Sequence, residues 1–79
     1  MNGNRNSLNE EIQDLVYSER MKAKITQKQL SEQTGISQAN ISRIENGQAL
    51  PQLESLKKIA DCVGKRLVVS FVDSEEKEL

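Results

Sequence analysis

The sequence predicts an all-α bundle of four to five short helices, followed by a single β-strand. Three observations predict it. Apolar residues recur at three- and four-residue intervals from Leu8 to Val63. Ser, Thr, Gly and Pro interrupt that pattern at the places where helices start and stop. After Gly64 the pattern changes to a dense β-branched and aromatic run, Leu67, Val68, Val69, Phe71 and Val72.

Residues 1–7 are polar and aperiodic, so they are expected to be disordered, with Ser7 or Asn9 available as a helix cap. Leu8, Ile12, Leu15 and Val16 then lie on one helical face, which predicts a first helix over about 9–22. Thr26 opens the second, with Gln29 at the capping-box position. Gly35 stops it, because glycine reaches a left-handed conformation without a Cβ penalty. Ser37 caps the third helix, which runs from Gln38 to about Glu45, buries Ile41 and Ile44, and ends at Asn46-Gly47. Pro51 fits near the start of a fourth helix. Its stripe is Leu53, Leu56, Ile59, Ala60 and Val63, and Gly64 terminates it. The domain proper is therefore expected over 8–64, the strand over 65–72, and a frayed acidic tail over 73–79.

A chain of 79 residues holds one small domain. Such a domain buries only about 60–65% of its unfolded surface, so its stability is marginal without a staple. One cysteine, Cys62, and no histidine remove intramolecular disulfides and four-ligand N/S zinc sites. Oligomerisation is favoured in their place. The absence of His also excludes His-based triads, and no nucleophile–base constellation is evident, so no catalytic residue, metal or cofactor is expected. Tyr17 and Phe71 are the only aromatics, too few for a base-stacking platform. No apolar run approaches the ~20 residues of a membrane span and no signal peptide opens the chain, so a soluble, cytoplasmic protein without a membrane partner is expected.

Net charge is −1, but its distribution is uneven. Residues 1–19 hold one base against four acids, residues 20–66 nine against four, and residues 67–79 one against four. A basic centre between acidic ends suits a polyanion on one face; the alternative is charge that merely solvates helices. The spacing of the second and third helices around Gly35-Ile36-Ser37 favours one partner. A turn this short sets two helices at a sharp angle, with Ile36 plugging the core between them. Gln38, Ala39, Asn40 and Arg43 then occupy the outer face of the third helix. Gln pairs bidentately with adenine, Arg with guanine, and Ala touches a thymine methyl, so this face suits the major groove of DNA. The competing reading is an ordinary αα-corner with a solvated face.

The stretch from Ile25 to Val63 resembles the Cro/repressor-type helix-turn-helix proteins, the xenobiotic-response-element family. The likeness rests on Thr26-Gln27, Leu30, Thr34-Gly35-Ile36-Ser37, the run from Ile41 to Gly47, and Pro51 with Leu53, Leu56, Ile59 and Ala60. It covers about half the chain. Ser31 departs from the family, which usually has Ala there, with no expected change of fold. The resemblance implies a lambda-repressor-like bundle that binds double-stranded DNA at a pseudo-palindromic operator. It implies that Gln27 contacts a phosphate and braces the first recognition residue. Ser37 and the amides following Asn46, including that of Gln48, hold phosphates. Gln38, Ala39 and Arg43 face base edges, and Asn40 does either. It further implies an ion pair between Arg20, late in the first helix, and Glu45.

A lone strand leaves amides and carbonyls unpaired, and both faces of residues 67–72 are largely apolar. A second copy pairing across a two-fold axis is the simplest partner, with Leu67, Val69 and Phe71 as dimerisation residues. The alternative is a coil folded back onto the helices. Leu56, Ile59, Ala60, Val63, Gly64, Lys65, Leu67, Val69 and Phe71 resemble the same region of antitoxins of the host-inhibition-of-growth and HipB types. That likeness implies a repressor of its own operon with a cognate toxin as a further partner. A stand-alone phage- or plasmid-type repressor, and an interaction module that has lost DNA binding, are the alternatives.

Overall fold

The computed structural model describes residues 7–74 and places four helices in them: α1 (Leu8–Ala23), α2 (Gln27–Thr34), α3 (Gln38–Glu45) and α4 (Leu53–Cys62). Three begin at a hydroxyl. Ser7 Oγ accepts from the Glu10 amide at 3.2 Å, Thr26 Oγ1 from Gln29 at 3.0 Å, and Ser37 Oγ from Asn40 at 3.1 Å. Each satisfies an amide that the first turn leaves without an intrahelical partner, worth about 1 kcal/mol per cap. At α2 the cap is reciprocal, since the Thr26 amide donates to Gln29 Oε1 at 2.8 Å. α4 starts differently. Gln52 precedes it without a side-chain cap, and Pro51 lies one residue further out.

All four helices feed one core. Val16, Leu30, Ile41, Ile44, Leu56 and Ile59 are buried, and Ile12, Ile25, Ile36, Ala49, Cys62 and Leu67 pack around them. Each buried aliphatic side chain contributes roughly 1.5–3 kcal/mol. The expected pair on α3, Ile41 and Ile44, lies at its centre. On α4 the stripe is only partly used: Leu56 and Ile59 are inside, whereas Leu53 in the first turn is exposed. Leu8 and Leu15 on α1 are exposed too.

The C-terminal segment departs from expectation. Among the described residues there is no strand, and residues 65–73 form neither helix nor ladder. A strand exists through the hydrogen bonds of a neighbour, and the described residues supply no second strand. The start of the segment is fastened: the Lys65 amide donates to Ala60 O at 2.8 Å and Lys65 Nζ to Glu19 Oε1 at 2.9 Å. Leu67 is half-buried against the core, but Val69 and Phe71 are exposed, Phe71 fully. The disorder expected for residues 1–7 falls, apart from Ser7, outside the described residues, as does the acidic tail beyond Ser74. No helix among the described residues is long and apolar enough to cross a membrane.

Candidate nucleic-acid interface

The direction of α3 is set by the turn that precedes it. Gly35 adopts φ 80°, and a Cβ there would meet nothing within 4 Å, so its requirement is torsional rather than steric. Two α2 hydroxyls then hold the next peptide groups. Thr34 Oγ1 donates to Leu30 O at 2.7 Å and accepts from the Ile36 amide at 3.2 Å. Ser31 Oγ donates to Ile36 O at 2.6 Å. Both polar groups of Ile36 are thus fixed from α2 while its side chain packs on the core. Ser31, expected only to be small enough to fit between helices, is a clasp on the turn.

The far end of α3 is fixed by a buried charge network. Arg20 Nε donates to Glu45 Oε2 at 2.7 Å and Nη2 to Glu45 Oε1 at 2.9 Å, a bidentate pair. Both residues are 8% exposed. Arg20 Nη1 also donates to Ile25 O at 2.8 Å, in the connection between α1 and α2. The guanidinium carbon lies 5.6 Å from the centroid of the Tyr17 ring, within cation–π range. The hydrogen bonds from Glu45 hold the Arg20 pKa above its ordinary value, opposing the burial that would lower it. Gln27 Nε2 donates to Glu45 Oε1 at 3.1 Å. One carboxylate therefore ties the last residue of α3 to α1 and to the first residue of α2. Gln27, expected to brace the first recognition residue, is engaged at the other end of α3.

Between these two fixed ends α3 turns Ile41 and Ile44 inward and presents its other face outward. Gln38, Ala39 and Arg43 are exposed and Asn40 is half-buried. Ala39 and Arg43 are one turn apart on the same helical face. Ser37 is exposed at the helix entrance, with one oxygen lone pair committed to its cap. Lys28, in the first turn of α2, adds an exposed cation next to Gln27.

One expectation is narrowed. The first three amides following the recognition helix, those of Asn46, Gly47 and Gln48, are not open donors. Asn46 N donates to Ser42 O at 3.0 Å, Gly47 N to Ile44 O at 3.1 Å and Gln48 N to Arg43 O at 2.8 Å. The carbonyls at the end of a helix lack intrahelical partners, and these amides satisfy them. Asn46 and Gln48 keep only their exposed side chains for an outside partner. The turn is braced from α1. Asn9 Nδ2 donates to Gly47 O at 3.5 Å. A Cβ on Gly47, where φ is 75°, would lie 2.6 Å from Gln13 Oε1.

Residues 16–69 match the family model described as helix-turn-helix. A curated protein of Haemophilus influenzae (strain ATCC 51907 / DSM 11121 / KW20 / Rd), described as an uncharacterized HTH-type transcriptional regulator, is 45% identical over 58 residues. That alignment covers 73% of this chain and 58% of the relative, so the chain spans a little over half the relative's length. No solved structure matches the chain.

Proposed function

The chain belongs to the helix-turn-helix family, and from that premise we propose that it is a sequence-specific DNA-binding transcriptional repressor acting as a homodimer. The observation that carries the proposal is the exposed face of α3, with Gln38, Ala39 and Arg43 held between a clasped turn and a buried ion pair. A reading head gains affinity when the helix that carries its side chains need not be ordered on binding. Arg43 reads a guanine edge, Gln38 an adenine edge, and Ala39 a thymine methyl. Ser37, Asn40 and the amide groups at the start of α3 position the helix on phosphates. With the backbone amides of residues 46–48 consumed internally, the side chains of Asn46 and Gln48 serve as the anchors at this turn. Gln27 holds Glu45 through one amide hydrogen and keeps its second N–H for a phosphate, and Lys28 beside it supplies the charge. Two copies facing successive major grooves would lie about 34 Å apart on a pseudo-palindromic operator.

The finer reading is an antitoxin that represses its own operon and neutralises a cognate toxin. The apolar C-terminal segment supports it, since Val68, Val69, Phe71 and Val72 are all exposed. Co-expression with the product of the adjacent gene, followed by co-purification and relief of toxicity, tests that part alone.

The test of DNA binding is a salt series on duplex DNA from the chain's own promoter. The logarithm of the binding constant should fall linearly with that of salt concentration, with a slope of about −0.9 per phosphate contacted. At physiological salt the promoter should be bound at least about a thousandfold tighter than a scrambled duplex. Equal affinity for both duplexes would remove the sequence-specific reading.

A further inference from the structure

The nine bases of residues 20–66 do not gather on the face that α3 presents. Four of them meet carboxylates: Arg20 with Glu45 at 2.7 Å, Lys22 with Glu19 at 3.6 Å, Lys57 with Asp61 at 3.1 Å and Lys65 with Glu19 at 2.9 Å. Lys58 lies on α4, and Arg66 lines an apolar groove between α1, α4 and the start of the C-terminal segment. From Ile36 to Leu53, which spans the turn, α3 and the connection to α4, only Arg43 and Glu45 carry charge, and Arg20 balances Glu45. The side chains available to phosphates there, Ser37, Asn40, Asn46 and Gln48, are all uncharged. So is Gln27 at the start of α2, where Lys24 and Lys28 are the exposed cations nearby in the chain. α1 adds the opposite sign. Asn9 and Gln13, which reach the Gly47 turn, are each followed by an exposed acid, Glu10 and Asp14. Both carboxylates oppose a phosphate brought to that turn, since charges act over a Debye length of about 8–10 Å.

We propose that the DNA interface of this chain is anchored by uncharged side chains, and that it selects its operator chiefly by withholding affinity from other DNA. The proposal rests on the DNA-binding reading above and states how that site discriminates. Non-specific binding comes almost entirely from cations that neutralise phosphates and release counterions. A cation attracts phosphates in any register, whereas a hydroxyl or carboxamide needs the donor geometry that only the docked register supplies. Specificity is a difference between two affinities, and anchors of the second kind lower the non-specific one. Of the phosphates contacted, those met by Lys or Arg set the salt slope. With Arg43 on a base edge, Lys24 and Lys28 neutralise two phosphates per copy, and counting Arg43 brings the ceiling to three. The slope is then about −1.8 per bound copy, and at most about −2.7. For two copies the smaller figure costs roughly 150-fold in affinity between about 50 and 200 mM salt, against roughly 10³–10⁵ for an interface that neutralises about six to ten phosphates.

Salt series with the full chain on its promoter duplex and on a scrambled duplex, with the binding stoichiometry measured alongside, test the proposal. The promoter slope should be no steeper than about −2.7 per bound copy, and the scrambled duplex should bind more weakly than about 10 μM at physiological salt. Lys28→Gln should make the slope shallower by about 0.9 per copy. Gln48→Lys puts a cation at an exposed position of the anchoring turn. It should steepen the slope by about 0.9 per copy and tighten binding to the scrambled duplex about fivefold per copy. Promoter binding gives up the carboxamide's hydrogen bond in exchange and gains less, so the preference for the promoter should fall about threefold or more. A promoter slope steeper than about −2.7 per copy, a scrambled duplex bound tighter than about 10 μM, an unchanged slope in either variant, or an equal gain on both duplexes from Gln48→Lys would overturn the proposal, while a preferred promoter left the DNA-binding reading standing. Equal affinity of the wild-type chain for the two duplexes would remove that reading and the proposal with it.

Discussion

Glu45→Ala perturbs the point where three helices are joined. The substitution leaves the Arg20 guanidinium buried, its side chain 10% exposed, with Ile25 O and the Tyr17 ring as remaining partners. Removing one member of a buried pair costs about 3–5 kcal/mol, mostly through the charge left behind. The surviving carbonyl bond places the loss near the lower end, about 3 kcal/mol. Gln27 loses its acceptor as well, but near the surface, where water replaces it. A domain of this size has roughly 4–12 kcal/mol to lose, so the variant forfeits a large share of it. The melting temperature should fall by roughly 12–24 °C, at about 4–8 °C per kcal/mol. Urea titrations followed by circular dichroism would measure the change on wild type, Glu45→Ala, Arg20→Met and the double variant. Arg20→Met keeps the apolar stem and removes the charge. The double variant should lose much less than the sum of the single losses, with a coupling of about 2 kcal/mol or more. A Glu45→Ala loss under about 0.5 kcal/mol with negligible coupling would mean two solvated surface charges, and the bracing of α3 would fall with the network.

Other substitutions separate recognition from framework. Arg43→Ala and Gln38→Ala should each weaken operator binding by about 1–3 kcal/mol with an unchanged urea midpoint, as measured by fluorescence anisotropy. Ser31→Ala removes the bond to Ile36 O and should destabilise by about 1 kcal/mol in the same urea titration; an unchanged midpoint would show that the clasp is idle. Gly47→Ala should cost about 1–2 kcal/mol, since the residue would sit at φ 75° with its Cβ 2.6 Å from Gln13 Oε1. The hydrogen bond from Lys65 holds the Glu19 carboxyl below its ordinary pKa, ahead of the opposing effect of desolvation. A depressed folded pKa contributes stability that is present above the unfolded value and lost as pH falls through the folded one. An NMR titration should therefore find Glu19 protonating at lower pH in wild type than in Lys65→Ala, and the reverse order would refute the bridge.

The sequence made the helical framework legible because its signals are local. Ser7, Thr26 and Ser37 cap by accepting from amides three residues away, and Gly35 needs only its own φ. The Arg20–Glu45 pair, 25 residues apart, came through the family resemblance and not from any periodicity. What stayed hidden depends on geometry between elements. Whether the Ser31 hydroxyl meets solvent or Ile36 O is decided only once the turn is built. Asn46-Gly47 marks the end of α3 in the sequence, but it does not show that the next amides fold back on that helix instead of facing outward. Lys65 finds Glu19 across 46 residues without a local signal. The strand expected from the β-branched pattern is not there, since that pattern records a preference for pairing and no second strand answers it among the described residues.

Selection from a pool of random duplexes with the full chain asks whether α3 reads sequence. Enrichment of one pseudo-palindrome is expected, its half-sites about one helical turn apart, roughly 10–10.5 base pairs centre to centre. Arg43→Ala should lose preference at one position in each half-site while keeping the spacing. No enriched sequence, or an identical site selected by Arg43→Ala and Gln38→Ala, would contradict the assignment of α3 as the element that reads DNA.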